Sequence, residues 1–561
     1  MNDLFETVVE RIPSIIRASR KIKDPNLKGF ISELLYHLNQ INTTLSDNYS
    51  TSNGELNPVS SSVILELLNS YLKSIASLIE NLKDSTKSSR KLRIFASKLQ
   101  TINEYLEFGL KFDKEDLLCL NTENERWKKL GQVIEYVKLA EDLEAQTSRF
   151  LANVAKGQAF ISRGLKEPTK LRKRLMVGLY MIWYGLQKTK AIEETEYFYS
   201  KPNAAAAKTV WNMLDSTLGG LHKVTLPSIN FNKVIFLPRL AREVTSDELV
   251  SVNLKNSVHY VDQIHNEPII GGSRFTLEWD EGKVRVPVRV LSPGPITQIS
   301  PKSSKTCFCV PDSEVHFDKL VLHIHGGGFI SMSSSSHQSY TRKWANALGL
   351  PVFSIDYRLA PEHKFPSALD DCWQAYYWLV NYSSKFLGIK DPKIILAGDS
   401  AGGNLAAALT IKLISAGYRV PDGLFLAYPA VNLIKERFSF SLVQSLDDML
   451  VPHTFLKLCL ESYLEDSSAA EHNPLISPLV APDDVLEMFP PVRMMVGTKD
   501  PLHDDVLRFC ERLLDCGVDV ELKVYEGLIH GGLNFCIKGG IPACQNFLQD
   551  SIELLRQLSE I

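Results

Sequence analysis

The chain has no apolar run approaching the roughly 20 residues that a helix needs to span a bilayer. Its longest, Leu175 to Leu186, holds twelve residues and includes Tyr180, Trp183 and Tyr184, so no transmembrane segment is expected. A surplus of positive charge is missing as well: 62 Lys and Arg stand against 65 Asp and Glu, for a net charge of −3. No excess of basic residues is then available to meet a phosphate backbone, which argues against nucleic acid as a partner. Cysteine is unpatterned. The nine in the chain show neither metal-ligand nor disulfide-framework spacing, and the nearest pair, Cys307 and Cys309, falls in a Pro/Ser-rich stretch. The first twenty residues include Asp3, Glu6, Glu10 and Arg11, unlike a signal peptide. These features imply a reducing, cytoplasmic setting, in which the sequons at Asn42, Asn48 and Asn381 go unused.

With 561 residues, 44% hydrophobic and 23% charged, the chain is long enough for two domains. Up to about residue 220 apolar positions recur at three- and four-residue spacing, as in Ile31, Leu34, Leu35, Leu38 and Ile41, and again from Ile64 through Leu82. A polar connection, Ser46 to Gly54, separates these two helical stretches, and helical signals continue through 139–161, 175–186 and 204–218. The run at 175–186 follows Lys170, Arg172, Lys173 and Arg174. It reads either as a buried helix with a solvated basic end or as a segment that docks on a lipid surface.

Beyond Leu221 the character changes. Phe275–Trp279 and Val284–Val290 flank Asp280-Glu281-Gly282-Lys283, a hairpin signal, and a Pro/Ser-rich loop follows from 292 to 313. Strands near 321–324, 352–355, 394–398, 424–428, 492–496 and 520–525 then alternate with helices. Such alternation predicts a mostly parallel sheet covered on both faces. The expected division is an all-α domain over 1–260 and an α/β domain over 261–561.

Two motifs follow predicted strands. Gly398-Asp399-Ser400-Ala401-Gly402 stands where a buried strand should turn sharply into a helix, a placement that exposes the serine hydroxyl as a nucleophile. His325-Gly326-Gly327-Gly328-Phe329 can present backbone N–H groups to a developing oxyanion. Together they point to acyl transfer, with Gly326, Gly327, Gly328 and Ala401 as candidate donors. A serine needs a base and the base needs an acid. His530 follows the strand 520–525 through a short loop, whereas His503 reads as a surface residue. Asp500 follows the strand 492–497; Asp504 and Asp505 are rivals one turn further on, where acids cap a helix. Asp399 reads as a structural residue of the elbow. No metal or organic cofactor is expected.

His325-Gly-Gly-Gly-Phe329, Asp356-Tyr-Arg-Leu-Ala-Pro-Glu362, Gly398-Asp-Ser-Ala-Gly-Gly-Asn404, Asp500-Pro-Leu and His530-Gly together resemble the hormone-sensitive-lipase group of α/β-hydrolases. Three further runs, Val420-Pro-Asp-Gly423, Ala427-Tyr-Pro-Ala430 and Asn473 to Pro482, with the long helical N-terminal half, are similar to the neutral lipases of fat stores in that group. The resemblance implies an α/β-hydrolase fold with a helical cap. It also implies action on diacylglycerol, triacylglycerol, cholesteryl or retinyl esters, peripheral association with lipid droplets, and a homodimer. Vertebrate members carry a long Ser-rich regulatory insertion between serine and acid; here only about a hundred residues separate Ser400 from Asp500, and no Arg-Arg-x-Ser occurs. Two other readings are a soluble short-chain carboxylesterase or deacetylase of the same fold, and a non-catalytic ligand receptor on this scaffold. The presence of His530 weighs against the receptor.

Overall fold

The structure, a computed structural model, describes residues 2–22, 24–25, 27–51, 58–80, 85–109, 130–164, 188–200, 202–211, 226–238, 260–262, 267–269, 285–294, 296, 317–434, 439–444, 446, 448, 450–537 and 539–561. The aromatic run at 175–186 with its basic flank, the first strand and turn of the expected hairpin, and the Cys307/Cys309 pair lie outside them.

Two compact units emerge. The first takes residues 1–122, 151–206 and 436–458. Its helices are α1 (Asn2–Ser19), α2 (Lys28–Thr51), α3 (Pro58–Glu80) and α4 (Ser85–Gly109), of which α2 and α3 carry the apolar spacing read from the sequence. They bury that spacing in one core: Ile31, Leu34, Leu38 and Ile41 of α2 meet Ile64, Leu68 and Leu72 of α3 and Leu99, Ile102 and Leu106 of α4. Helix α5 (Leu143–Gly164) straddles the two units, and α6 (Lys188–Tyr199) joins the first through an Arg90–Glu194 ion pair of 2.8 Å. The polar stretch expected as a connection from Ser46 instead continues α2 to Thr51. There Ser46 Oγ donates to the Asn42 carbonyl at 2.8 Å and Thr43 Oγ1 to the Asn39 carbonyl at 3.1 Å. Hydroxyls that fold back on the preceding turn satisfy themselves within the helix.

The second unit takes residues 123–150, 207–435 and 459–561. Its strands, with a separate small pair included in chain order, are β1 (Ile134–Val137), β2 (Phe231–Pro238), β3 (Tyr260–Asp262), β4 (Glu267–Ile269), β5 (Arg285–Ser292), β6 (Lys319–Ile324), β7 (Val352–Ile355), β8 (Lys393–Asp399), β9 (Gly423–Ala427), β10 (Val492–Lys499) and β11 (Val520–Ile529). The main sheet runs β1-β11-β10-β9-β8-β6-β7-β5-β2; it is parallel from β1 through β7, and β5 pairs antiparallel with both β7 and β2. Its central strands are buried along their length, β9 completely, as expected of a sheet covered by helices. The six strands expected after residue 320 are all present.

The division between units differs from the expected boundary at 260/261 in three places. The stretch from Ala207 onward, expected in the all-α domain, lies in the second unit, and its β2 pairs with β5 in the main sheet. Residues 130–150 belong with the sheet: β1 pairs with Leu522–Tyr525 of β11, Glu135 meets Lys523 Nζ at 2.8 Å, and Gln146 Oε1 accepts the Ala543 N–H at 3.0 Å. Four residues, half of them exposed, leave too short a pattern to announce a strand among helices. Conversely, residues 436–458, which follow β9 in the chain, contribute Val443 and Leu446 to the helical core. Within that unit Tyr105 Oη lies 2.7 Å from His453 Nδ1.

Leu446→Ala should therefore destabilise the helical unit by about 2–3 kcal/mol, although it lies far from α1–α4 in sequence. Faster proteolysis within residues 1–109 of the variant would show this; cleavage confined to the vicinity of residue 446 would contradict it.

Candidate active site

The strand order reverses between β6 and β8. After β6 the chain moves outward to β7, while after β8 it moves the other way to β9, so the loops leaving β6 and β8 diverge and a crevice opens at their carboxyl ends. Ile324 and Gly398 are partners across this pair, which places residues 325–328 directly beside Ser400.

Ser400 itself carries the strain of the elbow, with φ 54° and ψ −121°. The flanking glycines serve close approach. A Cβ on Gly402 would stand 2.0 Å from the Ile324 carbonyl oxygen, and one on Gly398 2.3 Å from that of Gly402. Strand β8, the turn and helix α10 (Ala401–Ser415), to which α7 (Ala204–Trp211), α8 (Gln338–Leu348) and α9 (Ser367–Leu387) lead in chain order, can pack this tightly only without those side chains. Helix α10 is buried over nearly its whole length and points its N-terminus at Ser400.

Ser400 Oγ lies 2.9 Å from His530 Nε2, and His530 Nδ1 lies 2.8 Å from Asp500 Oδ2. Asp500 is fully buried, and its other oxygen accepts the Leu502 N–H at 2.8 Å. Register explains the meeting of residues thirty apart: Lys499 of β10 is paired with Ile529 of β11, after an irregularity at Gly497 where a Cβ would stand 2.1 Å from the Leu528 carbonyl oxygen. The next residues are Asp500 and His530. The Tyr428 ring stands edge-on to the imidazole, centroids 4.9 Å apart, and its hydroxyl accepts the Leu533 N–H at 3.3 Å. The rival Asp504 instead faces its neighbour His503, 3.0 Å away.

Of the four expected oxyanion donors, Gly326 is engaged elsewhere: its N–H donates to Asp399 Oδ1 at 3.0 Å. The N–H groups of Gly327, Gly328 and Ala401 meet no acceptor among the described residues. Gly327 and Gly328 reach their positions with φ 117° and 58°, open to glycine at little cost.

A family profile described as the α/β-hydrolase fold matches residues 321–534. An esterase of Acinetobacter venetianus is 35% identical over 240 residues, 43% of this chain and 75% of that protein. The hormone-sensitive lipase of Mus musculus is 34% identical over 270 residues, 47% of this chain and 34% of that lipase. The chain belongs to the hormone-sensitive-lipase group of α/β-hydrolases. The Homo sapiens hormone-sensitive lipase is 43% identical over a shorter span, 160 residues, which is 15% of its length. The chain thus spans about a third or less of the hormone-sensitive lipases it matches.

In this member of the group Asp399 is the centre of a buried network. Beyond the Gly326 N–H, its Oδ1 accepts the Tyr340 hydroxyl at 2.8 Å, and His337 Nε2 lies 3.5 Å from Oδ2. A carboxylate can only accept, so Tyr340 donates to Asp399 and must accept from His323 Nε2 at 2.8 Å. His323 Nδ1 is then left to accept from Ser354 Oγ, also at 2.8 Å. His325 Nδ1 donates to the Gly326 carbonyl at 2.7 Å, and its ring stacks on Tyr357, whose hydroxyl donates to the His325 carbonyl. Burial acts against charge on Asp399, yet His337 and His323 hold it well below the usual carboxylate range. Burial lowers His323 and, reinforced by His337, brings His325 to about 3. Sequence reading placed Asp399 as structural but had no signal for Tyr340 or His337, which arrive from α8 and the turn before it.

Two outcomes follow from this geometry. Asp500→Asn should slow labelling of Ser400 by a fluorophosphonate by roughly 10⁴, and Asp504→Asn should leave it near the wild-type rate; the reverse order would assign the acid to Asp504. Stability should decline in acid. Both His323 and His325 are depressed below the ordinary 6.5 when folded, so their contribution is complete above about pH 6.5 and is lost as the pH falls through the lowered values, for His325 about 3. Asp399, depressed when folded, adds stability present above 3.8 and lost below it, in the same direction. A melting temperature level from pH 7.5 to pH 4.5 would contradict this.

Proposed function

We propose that the protein is a carboxylic ester hydrolase that uses Ser400, His530 and Asp500 on acylglycerols, with diacylglycerol and triacylglycerol as substrates alongside cholesteryl or retinyl esters. The observation that carries the reading is the unbroken hydrogen-bonded chain Ser400–His530–Asp500, at 2.9 and 2.8 Å, opening beside three N–H donors. Ser400 Oγ attacks the carbonyl carbon while His530 Nε2 takes its proton. Asp500 accepts from Nδ1 and so keeps Nε2 free to act as the base, then stabilises the imidazolium. Gly327, Gly328 and Ala401 donate to the oxyanion; one such donor is worth about 2.7–4 kcal/mol in the transition state. The imidazolium returns its proton to the leaving alkoxide, and water, deprotonated by the same nitrogen, releases the acid and restores Ser400.

Membership of the hormone-sensitive-lipase group supports acylglycerol and sterol-ester substrates, and the reading extends to a cytoplasmic protein docked peripherally on lipid droplets and paired as a homodimer. No described helix is long and apolar enough to cross a membrane. Likeness to the Acinetobacter venetianus esterase supports a second reading, a short-chain carboxylesterase.

Hydrolysis of p-nitrophenyl butyrate and of emulsified diolein, measured beside Ser400→Ala, tests both. Turnover of the two substrates, abolished in the variant, is expected. Turnover of the soluble ester alone would favour the esterase, and none on either would overturn the hydrolase reading in favour of a ligand receptor.

A further inference from the structure

We propose that Trp211 is a specificity-determining residue whose indole covers the oxyanion loop at Gly328 and forms the apolar wall for the acyl chain of the ester. The inference rests on the hydrolase reading above and names the residue that shapes its acyl site. Trp211 is the last described residue of α7, and the portion Ala207–Trp211 lies in the same compact unit as the sheet. Gly328 is left-handed, and a Cβ built on it would stand 3.3 Å from Trp211 Cζ3 and 2.5 Å from Cys459 Sγ. An indole and a thiol, neither able to solvate charge well, therefore close over one face of the glycine. Its N–H, with that of Gly327, is left for the carbonyl oxygen.

Both partners are held. Lys208, one turn before Trp211 on α7, reaches Glu362 at 3.2 Å, tying the helix to the Asp356–Glu362 segment that follows β7. Cys459 is buried on the helix His453–Tyr463. Four residues on, Tyr463 stacks face to face on Phe329, centroids 3.9 Å apart and planes within 7°. The oxyanion loop therefore cannot recede from the indole. An ester oxygen seated about 3 Å from these N–H groups brings its carbonyl carbon, one C=O bond further on, close to Gly328. The first methylenes of the acyl group then pass beside the indole that borders this closed face. Sequence gave Trp211 no distinction from its neighbours in an apolar helical stretch, because only the fold carries residue 211 to residue 328.

The test is a series of p-nitrophenyl acetate, butyrate and octanoate, with kcat and KM measured for the full chain, Trp211→Ala, Trp211→Phe and Ser400→Ala, each checked by thermal melting. Trp211→Ala should lower kcat/KM for octanoate relative to acetate by at least about tenfold, mostly through KM, since apolar contact of this kind discriminates by that order. Trp211→Phe should shift the ratio less, in the same direction. Equal factors for acetate and octanoate in both variants would mean a merely structural role and overturn the proposal. A parallel series of ethyl, butyl and octyl acetates varies the alcohol instead, and a shift found only there would overturn the proposal as well. Should Trp211→Ala fail to fold, Trp211→Phe decides by the same criterion. A wild-type chain inactive on every ester, or one still active as Ser400→Ala, would instead overturn the hydrolase reading itself.

Discussion

The pairing of β6 with β8 is the constraint on which the site depends. Ile324 opposite Gly398 sets two loops side by side, and the absence of a side chain at Gly402 lets α10 press against the Ile324 carbonyl. Without that contact the serine turn and the glycine loop would be two separate features of one sheet edge. With it, the Ser400 hydroxyl and the donors of Gly327, Gly328 and Ala401 share one crevice. A strained serine persists there because the strand behind it, the helix ahead of it and the loop beside it all leave it no other conformation.

Asp399 converts this proximity into a fixed distance. One buried carboxylate takes the Gly326 N–H from the loop after β6 and the Tyr340 hydroxyl from α8, while being covalently adjacent to Ser400. A buried charge is tolerated only where donors surround it, and here they come from two segments distant in sequence. The cost of leaving any of them unpaired in a dry interior ties loop, elbow and helix to one arrangement. The same network gives the three glycines of the loop different roles. Gly326 anchors the loop, while the N–H groups of Gly327 and Gly328 meet no acceptor among the described residues.

Chain order and spatial order part company elsewhere. Residues 130–150 extend the catalytic sheet although helices surround them in sequence, and residues 436–458 enter the helical core although a catalytic strand precedes them. Each unit is thus assembled from separated pieces, and a cut at a single boundary would strip a strand from one or a layer of core from the other. Val443 and Leu446, buried among α1–α4, are the clearest mark of this exchange.

The sequence by itself determined what local physics controls. Three- and four-residue spacing announced α2 and α3, short apolar runs between turn signals produced β6 to β11, and the motifs after β6 and β8 announced their own turns. Asp500 and His530 were legible because each directly follows a strand, and strand ends in such a sheet share one edge. Tertiary structure decided everything that depends on which groups meet. It set Asp500 rather than Asp504 against His530, because register aligns Lys499 with Ile529. It withdrew Gly326 from the donor set, because Asp399 competes for its N–H. It brought Tyr340, His337 and Trp211 to the site across stretches of sequence that no periodicity links. Hydrogen bonding and close packing act at a few ångströms in space, and distance along the chain does not report that separation.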